Sequence, residues 1–295
     1  MKFRAHDTFF IRKGWLSKGM KAVKDRPDIF VTKEENPMDV LGLGANMVKS
    51  LRYWLTATGL TEEKIENRRH IQALTEFGEY VIENDRYIEE LGTLYLIHYK
   101  LASNKDEATA WYYFFNEFNM TEFTRDDFAQ SLQNYVSMHG ENVAFRSVSD
   151  DFACILNTYI SRYKVNQQHI SPENNISCPL SDLGLIDILD KRKHIYRKTS
   201  PAASTFEPWV VYAILMDQAG GRKQVSLEEL LAGRCNIGRI FNMDSITLLD
   251  VLHEVELSGL LKIIRTAGLD IVEFSELLTF KQCVDKYYAE ISKES

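Results

Sequence analysis

The stretch "AHDTFFIRKGW", residues 5–15, sets a histidine beside a carboxylate, His6 and Asp7, shortly ahead of a cation pair, Arg12 and Lys13. These types suit phosphodiester chemistry. Imidazole and carboxylate can ligate a divalent ion or take up a proton, while guanidinium and ammonium groups can hold a phosphate. Asp85, Glu89 and Glu90 are further carboxylates that a fold could bring to them. The catalytic candidates are therefore His6, Asp7, Glu89 and Glu90, with Mg or Mn as the expected helper if the chain cuts. The plainer alternative, which the spacing favours, is that His6 and Asp7 cap or orient the chain and the cations only bind phosphate. No G-x-S-x-G, H-E-x-x-H or C-x-x-C motif points elsewhere.

A second stretch, "LGLGANMVKSLRYWLTATGLTEE", residues 41–63, has glycines followed by Lys49-Ser50. A phosphate-binding loop needs glycine directly before the lysine, where Val48 stands. A dinucleotide fingerprint needs a third glycine, where Met47 stands, and a preceding strand. The stretch reads better as a turn followed by a helix. Met47, Leu51, Trp54, Leu55 and Thr58 share one face, which is the expected core. Asn46, Lys49, Arg52, Tyr53 and Thr56 share the other, with amide and guanidinium groups for base edges and lysine for phosphate.

The elements that must position these residues read mostly as helix. "GWLSKGMKAVKD" carries Trp15, Leu16, Met20 and Val23 on one face, Asn36-Pro37 opens a short helix, and Gly59 closes the helix from Ala45. A hairpin with the polar tip Asn67-Arg68-Arg69 follows. Helix, short helix, longer helix and basic-tipped hairpin is the order of a winged helix-turn-helix, whose last helix enters the major groove. The expected DNA-contacting residues are Arg12, Lys13, Lys18, Asn46, Lys49, Arg52, Tyr53, Arg68 and Arg69. Such a module can also serve as a protein contact.

The expected fold class is mainly α. A winged-helix module over residues 1–84 precedes a helical middle over 85–164, a polar linker over 165–179 and a winged-helix-like module over 180–295. In the middle region, Thr124 with Asp127 and Ser147 with Asp150 read as helix starts. Trp111, Tyr112, Phe114, Phe115 and Phe118 read as core, and His98, among apolar neighbours, as a structural histidine. The C-terminal region repeats the order of the first, but its third helix carries Asp244, Asp250, Glu254 and Glu256 in place of lysines. That acidity favours a protein or dimer contact over DNA, and the closing amphipathic helix suits a partner subunit.

Net charge is −7 overall, yet residues 1–81 carry +3 and the remainder −10. A basic end on an acidic body suits approach to a polyanion; a solvated basic face is the alternative. The first ten residues lack an apolar leader, no apolar run approaches a bilayer's width, and Cys154, Cys178, Cys235 and Cys283 are widely spaced. A cytoplasmic protein with reduced thiols and no membrane segment is expected.

The motifs "HDTFFIRKGWLSKG", "LGLGANMVKSLRYWL", "LTEFGEYV", "LGTLYLIHYKLASN" and "ATAWYYFFNEF", taken in order, resemble the SspB-like family, a bacterial domain of unknown function in DNA phosphorothioation systems that defend against phage. The resemblance covers nearly the whole chain. It implies a protein that binds double-stranded DNA, nicks one strand or helps expose it, and works with a sulfur-transfer enzyme and an ATPase. A homodimer is a further expectation. Asn46, Lys49 and Arg52 fall in the family's glycine-Asn-Met helix, His6, Arg12 and Lys18 in its N-terminal motif, and His98 and Asn116 in its middle motifs. The chain departs from the pattern at Ala45, where a basic residue is common, and at Asp7, where glutamate is common. The first lowers the expected DNA affinity, and the second shortens the reach of a carboxylate. The rival reading is a DNA-binding adaptor that does not cut and recruits the enzymes that do.

Overall fold

The computed structural model describes residues 1–66, 69–161, 177–266 and 269–294. The chain is mainly helical with small antiparallel sheets, and it divides into two compact units. One comprises Met1–Phe114 and Phe118–Lys198, the other Phe115–Glu117 and Thr199–Ser295.

In the first unit, α1 (Trp15–Asp25), α2 (Pro37–Leu41) and α3 (Ala45–Ala57) lead into the hairpin of β1 (Thr61–Glu66) and β2 (Arg69–Leu74). Each start has a local cause. Asn36 accepts the Met38 amide and Pro37 fits the first turn of α2, while Gly42 at φ 60° ends it. Trp15, Leu16, Gly19, Met20 and Val23 bury one face of α1. Gly59, at φ 70°, turns the chain out of α3 into the hairpin, whose register runs from Thr61↔Leu74 to Glu66↔Arg69. Thr75 caps α4 (Glu76–Asn84) by accepting the Gly78 amide, and its own hydroxyl donates to Gly59 O.

The rest of that unit is α5 (Leu91–Ser103), α6 (Thr109–Asn116), β3 (Glu122–Phe123), α7 (Arg125–Met138), α8 (Phe145–Tyr159), a 3-10 turn (Pro179–Leu183), β4 (Ile186–Asp190) and β5 (Ile195–Lys198). The strands form a sheet in the order β3-β5-β4. Trp111, Phe114, Phe118, Phe123, Phe128 and Phe152 build the aromatic core, mostly edge to face or tilted. Lys198 donates to the Phe114 and Phe118 carbonyls at 2.6 Å each and so fastens β5 to that core.

The second unit holds α9 (Pro208–Ala219), β6 (Gln224–Ser226), α10 (Leu227–Ala232), α11 (Ile237–Ile240), α12 (Ser245–Leu257), the hairpin of β7 (Leu261–Thr266) and β8 (Leu269–Phe274), and α13 (Phe280–Glu294). Its strand order is β6-β8-β7. The closing helix packs on α9 and buries Cys283, Val284, Tyr287 and Tyr288. Trp209 Nε1 donates to Glu290 there at 2.8 Å. Among the described residues no helix is long and apolar enough to cross a membrane.

Gly78 shows how closely α4 docks on the end of α3: a Cβ at that position would stand 2.0 Å from Leu60 O. Helix propensity alone favours alanine over glycine by about 1 kcal/mol. Backbone contact reverses the sign. Gly78→Ala is expected to destabilise the protein by roughly 1–3 kcal/mol, the cost typical of overpacking, seen as a lower urea midpoint. A raised midpoint would contradict this packing.

Candidate functional site

Residues 1–13 form no regular element. They lie across the unit as a strap, and three of them hold left-handed backbone that non-glycine residues seldom adopt: Arg4 at φ 55°, Asp7 at 47° and Thr8 at 68°. Such conformations persist only where surroundings over-determine them, and the surroundings here are specific. Lys2 reaches α6, its amide donating to Thr109 Oγ1 and its ammonium pairing with Glu107. The Arg4 amide donates to Asp151 Oδ1, and its guanidinium pairs with Asp150 at 2.8 Å, both on α8. Phe9 O accepts from Ser50 Oγ and Trp54 Nε1 on α3.

His6 is the centre of the strap and is fully buried. The Thr8 amide donates to its Nδ1 at 3.0 Å, so the ring proton is on Nε2, which donates to Asp151 Oδ1 at 2.7 Å. The ring stacks on Trp54 at 16° and meets the edge of Trp111. Both nitrogens are thus occupied and walled off by indoles. His6, a candidate base or metal ligand in the sequence, serves as a buried fastener. Burial raises the Asp151 pKa against the opposing pull of its bonds to His6 and the Arg4 amide. Its Oδ2 is buried without a hydrogen-bond partner, which leaves the carboxylate's charge incompletely solvated.

The other carboxylates lie apart from this pair. Asp7 is half-buried, and its side chain has no partner among the described residues. Asp85 accepts the Glu89 and Glu90 amides, one on each oxygen, and so shapes the entry to α5; Glu89 and Glu90 are exposed. Among the described residues no three His, Cys, Asp or Glu side chains gather to hold a metal. Among the described residues these side chains form no preassembled centre for Mg or Mn. His98 donates or accepts at Tyr159 Oη over 2.8 Å inside the core, as a structural histidine would.

The cationic residues divide sharply. Lys13, Lys21 and Lys49 are exposed and have no ion-pair partner among the described residues. Asn46 is exposed one helical turn before Lys49. Arg12 is half-buried, its guanidinium 5.8 Å from the Phe9 ring and 5.4 Å from the Trp15 ring. Lys18 donates to Leu41 O at the end of α2. Arg52 pairs with Glu63 at 2.7 Å and Arg69 with Asp28 at 3.8 Å. Arg68 and Asn67 lie outside the described residues.

Tyr53 corrects the expected outer face. It is buried with 9% exposure because the strap covers that side of α3 as well as the core side. Burial, then the Asp151 charge, pushes its phenol well above the ordinary range. Val48 and Ser50 are buried too, whereas Met47 is only half-buried. Asp151 itself went unsingled in the sequence. Ser147 and Asp150 look like a helix cap there, yet α8 begins at Phe145 behind Ala144, and the two aspartates inside it serve the strap.

The chain belongs to the family described as "Protein of unknown function (DUF4007)", which matches residues 3–288. It is similar to the magnesium ion-bound crystal structure of SspB at 26% identity, over 98% of this chain and 88% of that one, with a TM-score of 0.86. A further SspB crystal structure matches over the same shares at 26% identity and 0.85. No curated protein matches the chain.

A carboxylate whose pKa is raised by folding stabilises fully below its ordinary value of 3.8, and that contribution is lost as pH climbs through the raised value. Asp151→Asn keeps an acceptor for His6 and Arg4 but carries no charge to bury. Wild type should therefore lose stability relative to Asp151→Asn as pH rises from below 3.8 toward neutrality, in urea melts across that window. Asp151→Ala, which strands the buried His6 Nε2–H and frees the part-buried Arg4 amide, should cost about 1–3 kcal/mol for the buried donor at any pH. A pH-independent difference between wild type and Asp151→Asn would contradict the burial of an ionised group.

Proposed function

We propose that the chain is the DNA-binding component of a bacterial DNA phosphorothioation system and that it nicks one strand so that partner enzymes can exchange a non-bridging oxygen for sulfur. The observation that carries this reading is that the first 81 residues present several exposed lysines without ion-pair partners among the described residues, Lys13, Lys21 and Lys49 among them, on a chain of net charge −7. Cations left uncompensated in an acidic protein are suited to phosphates, whose counterions they displace. The likeness to SspB over 98% of the chain supports the same system.

On this reading α1, α2, α3 and the β1–β2 hairpin act as a winged helix-turn-helix. Asn46 and Lys49 lead α3 into the major groove, Arg52 exchanges Glu63 for DNA, and Arg12 and Lys13 hold backbone phosphate. Arg69, at the start of β2, extends the contact to the neighbouring backbone; Arg68, outside the described residues, is the second cation of this contact. The sulfur-transfer enzyme and the ATPase are the partners. For the cut, Mg is commonly held by one or two carboxylates together with substrate phosphates. Asp7 is the carboxylate in the strap that is free to take part.

The second reading is an adaptor that binds DNA and leaves the chemistry to its partners. It is favoured by one observation, that Asp85 gives both carboxylate oxygens to backbone amides. Supercoiled plasmid separates the two. Conversion to open circles that stops with a chelator and with Asp7→Ala supports nicking at the strap. No open circles alongside clear gel shifts supports the adaptor.

Lys49→Ala should weaken binding to unrelated duplexes alike and reduce the slope of log affinity against log salt by about 1, in fluorescence anisotropy titrations. Asn46→Ala should instead alter preference between duplexes. Binding that is absent, or indifferent to salt, would end the proposal.

A further inference from the structure

The helix–hairpin segment of the first unit recurs in the second with its numbers displaced by 200 throughout. Ala45–Ala57 answers to Ser245–Leu257, Thr61–Glu66 to Leu261–Thr266, and Arg69–Leu74 to Leu269–Phe274. The strand registers correspond pair by pair, Thr61↔Leu74 with Leu261↔Phe274 and Glu66↔Arg69 with Thr266↔Leu269. The junctions use the same bonds. Gly59 and Gly259 are left-handed at φ 70° and 77°. The Thr75 and Ser275 amides donate to Leu60 O and Leu260 O, and their hydroxyls to Gly59 O and Gly259 O. One backbone device is built twice, and the outward face of its helix is where the copies differ.

On α3 Asn46 and Lys49 are exposed, while Ser50, Tyr53 and Ala57 of the same face are buried. On α12, Ile246 is 69% and Leu257 81% exposed, large values for residues of that size on a helix. At 100° per residue, Ile246, Leu249, Asp250, His253 and Leu257 fall within an arc of about 100°. Asp250 and His253 are exposed and have no partner among the described residues. The stripe has an apolar residue at each end with Leu249, an acid and an imidazole between; in a two-fold pairing about the stripe's midpoint Leu249 meets Glu254 of the copy.

The order of that stripe is self-complementary. Positions 246 and 257 share a midpoint with positions 250 and 253. Laid antiparallel on its own copy, the helix therefore sets Ile246 against Leu257 at both ends and Asp250 against His253 twice in the middle. A two-fold interface demands this property, that residue i meets j while j meets i. We propose that the exposed face of α12 is an isologous docking surface for a second copy of this chain. One pair of three-turn helices covers less than a standard interface of about 1,600 Å², so the dimer is weak and concentration-dependent. The inference is independent of the DNA-binding reading, which concerns the other copy of the device.

Sedimentation of the full chain from about 1 to about 100 µM, the range of small interfaces, should show monomer passing to dimer. Leu257→Lys should raise the dissociation constant by about tenfold or more, the equivalent of at least 1.4 kcal/mol, with circular dichroism unchanged because the side chain is exposed. Asp250→His or His253→Asp alone should weaken the dimer, and both together should restore it. Lys49→Ala should leave it intact. Monomer across the whole range, a dimer indifferent to Leu257→Lys, or a face that instead binds a lysine-rich partner protein would each overturn the proposal.

Discussion

The bond from His6 Nε2 to Asp151 Oδ1 joins residues 145 apart in sequence and is enclosed almost completely. It determines what the first thirteen residues can be. With the imidazole fixed by Thr8 on one side and Asp151 on the other, the strap must cross α3, and Phe9 O comes to the Trp54 indole. The left-handed backbone at Arg4, Asp7 and Thr8 follows from that anchoring. The anchoring also sends Arg12 over Phe9 and Trp15 and leaves Lys13 in solvent. A histidine that looked like chemistry thus sets the stage on which the cations stand.

The two copies of the helix–hairpin device show how little of the backbone encodes what a surface does. The same left-handed glycine, the same register and the same hydroxyl bond to that glycine's carbonyl are kept. Asn46 and Lys49 give way to Ile246 and Leu249, while Ser50, Tyr53 and Ala57, buried in the first copy, answer to the exposed Asp250, His253 and Leu257 of the second. The charge asymmetry of the chain, +3 over residues 1–81 against −10 over the rest, has this difference between the two helices as a local counterpart.

Local signals in the sequence were legible where their causes are local. Asn36-Pro37, Gly59 and the Thr124–Asp127 capping box act within one turn and appear in the structure as read. The apolar spacing of α1 likewise names its buried face. Long-range partners left no such trace. Nothing near Asp151 announces a histidine at position 6, and nothing in the period of α3 reveals that the strap would bury Tyr53 on its second side. Ser147 and Asp150 imitate a cap because the aspartate needed for Arg4 happens to stand three residues after a serine. The short pairing of β3 with β5, residues 122–123 with 196–197, is too brief to have a period at all.

The central claim is that duplex DNA is engaged by the cationic face of the first unit. The most direct test is amide hydrogen exchange of the full chain with and without a duplex at low salt. The account predicts slowed exchange in residues 11–25 and 45–57 that is reversed by added salt, with residues 245–257 unchanged. Slowing confined to the second unit, or none anywhere despite saturating DNA, would contradict it.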